Sequence, residues 1–222
     1  MIEITTLTEL TIDGKLSLGA GGSSKALFDF YGPELRAWFH AQRAQHDAIM
    51  VGAGTVRCDD PELTVRYASG PDPLRVIPAS LGDLPLHSRL LNDGRPTVVA
   101  VSRQATDDQV HALRRQPAVE VARCGDQRVD LHELLAVLEG RGIRSLLVEG
   151  GSRLLHSLFE AQLVARIIIK HLPVICGAAD APSLLPSGPG ALPLPLSRWQ
   201  LADWFVMSGV AISVHCPLRP VA

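Results

Sequence analysis

Four short, largely apolar runs set the strongest limit on how this 222-residue chain can fold. Ala48-Ile49-Met50-Val51 closes on Gly52, and similar runs occupy residues 74–77, 97–101 and 145–148. Such runs are too short for buried helices, and they lack the period-two alternation of a half-exposed strand, so they predict strands covered on both faces. Between them stand helical patterns at 107–115, with Asp107 near the positive end, and at 131–138, ended by Gly140. A more polar run at 119–122 predicts another, shorter strand. Strands alternating with helices of roughly ten residues predict right-handed crossovers and a mainly parallel sheet flanked by helices, an α/β fold.

The flanks read differently. Residues 2–12 are rich in β-branched side chains and run into Asp13-Gly14, predicting a strand and a turn, with a Gly/Ser loop over 17–24 behind it. Pro33, Glu34 and the one-face spacing of Leu35, Trp38, Phe39 and Gln42 predict a helix over 33–46. In the last third, strands are predicted over 164–174, 199–207 and 210–215, the last two joined at Ser208-Gly209 as an antiparallel hairpin. The Gly/Pro-rich stretch 187–195 reads as a long surface loop. No Ser/Gly-rich or charge-rich linker separates differently patterned halves, so a single domain over 1–222 is expected.

Charge and cysteine usage exclude several classes of function. A formal net charge of −2 with scattered Lys and Arg gives no footprint for a nucleic-acid backbone. Cys58, Cys124, Cys176 and Cys216 are too few and too far apart for a disulfide framework or a zinc site, and read as reduced thiols. The eight histidines show no ligand spacing, so no metal is expected. The start Met1-Ile2-Glu3-Ile4 has no leader character and no window approaches a membrane span, which predicts a cytoplasmic chain without membrane contact.

Two segments carry chemistry. The first, residues 47–66, delivers a buried strand to Gly52 and Gly54, whose missing side chains let backbone approach a ligand. Thr55, Asp59 and Arg66 then place a hydroxyl, a carboxylate and a guanidinium in what reads as one short loop system. From the residues alone, a capped turn at Asp59-Asp60-Pro61 and a solvated Arg66 explain the pattern equally well. The second is Glu149-Gly150-Gly151-Ser152, running into a helix over 153–160. Two glycines at a strand-to-helix junction offer backbone N–H groups and the positive helix end to a diphosphate, although the full G-x-G-x-x-G fingerprint is absent.

Taken together, these segments resemble the pyrimidine reductase family of riboflavin biosynthesis, whose fold is dihydrofolate-reductase-like. The family motif D-A-I-x-V-G-x-x-T-V-x-x-D-D-P-x-L-T-V-R is matched almost throughout from Asp47 to Arg66, Ile12-Asp13-Gly14-Lys15 stands at its opening turn, and Glu149-Gly150-Gly151 at its later one. The resemblance covers nearly the whole chain. It implies a homodimeric, NADPH-dependent reductase acting on a small phosphorylated substrate. Thr55, Asp59, Ser80, Gly150, Gly151, Ser152, Arg153, Leu154 and Leu155 would meet the cofactor, with His156 closing the diphosphate wrap and Arg103 near the adenosine 2′-phosphate. Arg43, Leu63, Arg66 and Glu149 would meet the substrate, and Asp59 or Glu149 could move the proton, with no sequence argument choosing between them.

The chain also departs from the family. The family commonly has a lysine or asparagine near Leu7 and a small residue near Glu9, and Ala79 stands in place of an aspartate, Val164-Ala165-Arg166 in place of Val-Asp-Glu, and Phe28-Asp29-Phe30 in place of a tryptophan segment. A same-fold reductase for another pterin- or pyrimidine-like compound, and a non-catalytic nucleotide-binding protein, therefore stand as alternatives. The H-x-E and P-C-x-x-C deaminase signature is missing.

Overall fold

Each apolar run is a strand. The computed structural model describes residues 1–19, 22–186, 194 and 196–218, so the surface loop expected at 187–195 lies, but for Leu194, outside the described residues. In chain order the elements are β1 (Glu3–Leu10), a 3-10 helix (Ser24–Phe30), α1 (Pro33–Ala44), β2 (Ala48–Met50), α2 (Ala53–Asp59), β3 (Leu74–Pro78) and α3 (Arg89–Asn92). They continue with β4 (Thr97–Val101), α4 (Asp107–Arg114), β5 (Val119–Arg123), α5 (Leu131–Gly140), β6 (Ser145–Val148), α6 (Ser152–Glu160), β7 (Arg166–His171), β8 (Trp199–Met207) and β9 (Val210–Pro217).

The chain clusters into two compact units, Met1–Ile2 with His40–Leu147, and Glu3–Phe39 with Val148–Ala222. One division falls where β1 begins, and the other two run through α1 and β6, continuous elements in which no linker composition is needed.

In the first unit the strand order is β5-β4-β3-β2-β6. The β2–β3, β3–β4 and β4–β5 pairs are parallel. Every residue of β2 and β4 is buried, as strands covered on both faces must be. Local signals fix the helices: Thr106 and Gln109 form a capping box at α4, and the Asp130 carboxylate accepts the His132 and Glu133 amides at α5. Asp47, the first residue of the long motif, is a clamp. Its carboxylate accepts the amides of Arg144 at 2.8 Å and Ser145 at 2.9 Å, tying the start of β2 to that of β6, and those bonds hold its carboxyl below the usual range.

Arg75 anchors the other end of this sheet. It is fully buried, and its five N–H groups reach Thr97 Oγ1, the Glu62 and Arg95 carbonyls, and both oxygens of Asp93 at 2.7 and 2.8 Å. Burial pushes the Asp93 carboxyl up, but hydrogen bonds from Arg75 and Arg95 outweigh that and leave it below its ordinary range.

In the second unit the order is β1-β7-β9-β8. β1 and β7 are parallel, and β9 is antiparallel to both β7 and β8. Ser208 and Gly209 both take positive φ, 51° and 79°, which is what a two-residue hairpin turn with the right twist requires. Asp13 is structural like Asp47: it accepts the Cys176 and Gly177 amides, each at 2.9 Å, and the Thr11 hydroxyl, and ties the first turn to the segment after β7.

Three local readings change. Residues 53–59 are a helix, not part of a loop. Residues 24–30 form a 3-10 helix that starts at the last residue of the loop expected over 17–24. The buried stripe of α1 is Leu35, Phe39, His40 and Arg43, while Trp38 and Gln42 are half-buried; His40 and Arg43 are buried because they hydrogen-bond backbone. Among the described residues no helix is long and apolar enough to cross a membrane.

Candidate active site

In the first unit, β2 leads through Gly52, the N-cap, into α2. Thr55 and Asp59 are four residues apart on that helix and therefore share one face, both half-buried. Asp60 ends the helix in the left-handed region, φ 39°, and its carboxylate accepts the Arg89 backbone N–H at 2.8 Å and Nε at 3.1 Å. The capped turn read from Asp59-Asp60-Pro61 is real, and it sits at Asp60, one residue beyond the candidate carboxylate.

The chain then runs through Leu63, buried and at φ 56°, a conformation that costs about 1–3 kcal/mol unless the surroundings hold it. They do. Arg43 Nη1 donates to the Thr64 carbonyl at 2.9 Å, and His40 Nδ1 accepts the Arg66 amide at 3.1 Å, so α1 pins the segment from both ends. A His40 that accepts at Nδ1 carries its proton on Nε2. Arg66 itself is 41% exposed, paired with Glu62 and donating to Thr64 Oγ1 at 3.1 Å. Leu63 also borders a cavity of about 380 Å³ with Asp72, Arg75 and Arg95 at the amino ends of β3 and β4. Arg75 has spent all its donors, which leaves that cavity without its buried cation for an anion.

The carboxyl ends of β3 and β4 hold a second polar group. Ser80 Oγ accepts the Val129 amide at 3.0 Å, and the Ser80 carbonyl accepts the Ser102 amide and hydroxyl, each at 2.8 Å. Arg103, 53% exposed, is shared between Asp126 at 3.0 Å and Glu133 at 3.3 Å. The buried thiol beside them, Cys124, is pushed up by burial and by the Glu133 charge.

In the second unit, half-buried Glu149 leads into Gly150 at φ 122° and Gly151 at φ 98°, and α6 begins with no side chain capping it. The nine-residue helix thus presents its first amides to whatever lies before it. Leu154 and Leu155 put their side chains into the core, and the Leu155 amide already bonds Gly151 O at 3.0 Å, so only Ser152, Arg153 and Leu154 have first-turn amides with no bond of that kind. Arg153 is exposed.

A charged pair that the sequence reading missed lies at the carboxyl ends of β1 and β7. Glu9 and Lys170 are register partners in the parallel pair. Lys170 is 0% exposed, its ammonium 2.9 Å from Glu9 Oε2 and over the rings of Phe39 at 4.0 Å and Tyr31 at 4.6 Å. Tyr31 donates its hydroxyl to the same Glu9 oxygen at 3.0 Å. Glu9 was legible only as a departure. Lys170, a lone cation after three isoleucines in Ile167-Ile168-Ile169, was the available signal.

Residues 3–210 match the family model described as the RibD C-terminal domain. The chain belongs to the RibD C-terminal domain family. Among its relatives, the "2,5-diamino-6-ribosylamino-4(3H)-pyrimidinone 5′-phosphate reductase" of Aquifex aeolicus is 40% identical over 183 residues, 82% of this chain and 81% of that protein. The protein of the same name from Methanothermobacter thermautotrophicus is 42% identical over 179 residues, 79% of this chain and 80% of that one. A solved Thermotoga maritima structure, a "diaminohydroxyphosphoribosylaminopyrimidine deaminase/5-amino-6-(5-phosphoribosylamino)uracil reductase", superposes with a TM-score of 0.76 at 25% identity, over 98% of this chain and 57% of that one. This RibD C-terminal domain has the family's dihydrofolate-reductase-like α/β fold, a mostly parallel sheet with flanking helices and antiparallel C-terminal strands.

Proposed function

We propose that the chain is an NADPH-dependent reductase that converts a ribosylamino-pyrimidine 5′-phosphate to its ribitylamino form in riboflavin biosynthesis. The observation that carries this reading is the identity with the Aquifex reductase across four fifths of both chains, with the motif at 47–66 almost intact. The whole of 1–222 is taken to serve as one cytoplasmic reductase domain.

The reaction opens the sugar ring to an imine at C1′, then adds hydride there and a proton to nitrogen. Bound NADPH would supply the hydride. The residues present fit that group. Gly150 and Gly151 at positive φ and the uncapped start of α6 suit a diphosphate. Thr55 and Asp59, on one face of α2, are assigned to the nicotinamide end; Ser80 and Arg103, at the ends of β3 and β4, to the adenosine end. Arg103 is already shared by two carboxylates, so a 2′-phosphate there must exchange with Asp126 and Glu133.

Arg66, exposed and held by one carboxylate, is assigned to the substrate 5′-phosphate, with Leu63 and Arg43 beside it. Arg43 also braces Thr64. Glu149 is assigned to the substrate, and proton movement to Asp59 or Glu149. These groups align and shield the reacting carbon, and positioning is their contribution to rate.

A homodimer is proposed on β8, the last strand in the second unit's order, where Leu201, Trp204 and Val206 are more than half exposed. Sedimentation at micromolar concentration checks it, and monomer alone would contradict it. The test of the activity is NADPH oxidation with each of two substrates, the 2,5-diaminopyrimidinone and the 5-aminouracil ribosylamino phosphates, beside a no-substrate control. Oxidation that depends on neither compound would overturn the reading.

A further inference from the structure

The Glu9–Lys170 pair does something that fold stability does not require. A buried ion pair is commonly no better for stability than well-packed apolar side chains of similar volume. Here both charges stand at the penultimate residues of parallel strands, Glu9 in β1 and Lys170 in β7, and so at the carboxyl edge of the sheet. That edge is where open α/β sheets bind their ligands.

The pair is also one-sided. The Lys170 ammonium and the Tyr31 hydroxyl both approach Glu9 Oε2. Among the described residues no hydrogen bond reaches Oε1, and the Glu9 side chain keeps 14% of its exposure. Lys170 is immobilised against the Phe39 and Tyr31 rings, so one carboxylate oxygen is fixed and the other is presented as a rigid, charged acceptor.

We infer that Glu9, oriented by Lys170 and Tyr31, reads the pyrimidine ring and makes the enzyme select the 2-amino substrate over its deaminated counterpart. The inference rests on the reductase reading above. A 2-aminopyrimidinone offers two neighbouring donors, the ring N–H and the exocyclic amino group, to a carboxylate. In the uracil the amino group is a carbonyl, whose lone pairs would face Glu9 Oε1. A site built around an acceptor rejects a ligand that brings another acceptor, because Oε1 is then desolvated with no donor to meet it.

The experiment compares kcat/KM for the two pyrimidine phosphates in the unaltered protein and in Glu9→Gln. The expected preference for the 2-amino compound is on the order of thirtyfold or more. In Glu9→Gln it falls to within about threefold, since a carboxamide can turn either its oxygen or its nitrogen to the ring. The double variant Glu9→Gln/Lys170→Met removes both charges, should the single one strand the lysine and unfold, and the same collapse of the ratio is expected. A purely structural role would lower both efficiencies together and leave the ratio standing, which overturns the inference. Equal use of both substrates by the unaltered protein overturns the selectivity alone and leaves the reductase reading intact; reduction of neither overturns both.

Discussion

Residues 47–66 and the β1–β7 edge hold their charges in opposite ways. Arg66 is 41% exposed beside Glu62, whereas Lys170 is 0% exposed beside Glu9. An exposed pair contributes little to stability and can exchange its carboxylate for an arriving phosphate. A buried pair cannot be parted without stranding a charge in the core. The first region is thus suited to capture a mobile anion. The second is a fixed surface against which a ring can be matched. The motif that carries the family resemblance lies in the first region, and the departures read from the sequence near Leu7 and Glu9 lie in the second.

The largest expected effect tests the buried side. Lys170→Ala leaves Glu9 without its cation and should cost about 3–5 kcal/mol of folding stability by denaturant titration. A loss below about 1 kcal/mol would mean the pair is effectively solvated, and the contrast with Arg66 would vanish. Arg66→Ala should do the reverse: stability nearly unchanged, but kcat/KM for the phosphorylated substrate down roughly thirty- to a hundredfold with NADPH affinity intact. Equal losses of affinity for both ligands would make Arg66 a folding residue.

Smaller effects sharpen the cofactor side. At Gly150, φ 122°, an added Cβ would meet nothing within 4 Å, so Gly150→Ala has only backbone strain to bear. That strain is about 1–3 kcal/mol, and it should appear as weaker NADPH binding by calorimetry as the turn relaxes. Unchanged affinity would remove this turn from the diphosphate site. The smallest change is expected for Arg103→Ala, about tenfold in NADPH affinity and none in NADH affinity, because Asp126 and Glu133 already offset much of its charge. Equal changes for both cofactors would place the 2′-phosphate elsewhere.

How much of this was legible in the sequence depended on whether its cause was local. Strands β2, β4 and β6 and the β8–β9 hairpin were legible, because largely apolar runs and a Ser-Gly turn carry their own geometry. Helix α2 was not: Ala53-Gly54-Thr55 begins with a poor helix former at its second position, and the helix is short, so glycine and the Asp-Asp-Pro stop read as loop. Two of the unit divisions were invisible because they cut through α1 and β6. Asp13 and Asp47 read as motif residues, yet their carboxylates are spent on backbone amides far along the chain, partners that only folding supplies. Lys170 needed Glu9 across the sheet, 161 positions away, before its charge made sense. The ligand roles of Thr55, Asp59, Arg66, Glu149 and Gly150 came from the family resemblance, with Thr55 and Asp59 standing on α2 and Glu149 and Gly150 following β6.

The hydride's destination decides whether this chain is the proposed reductase. NADPH carrying deuterium at both C4 positions should be consumed with the 2-aminopyrimidinone ribosylamino 5′-phosphate, and the ribitylamino product should carry one deuterium at C1′ by mass spectrometry and NMR. A product without label at C1′, or NADPH consumed with no ribitylamino product formed, would contradict it.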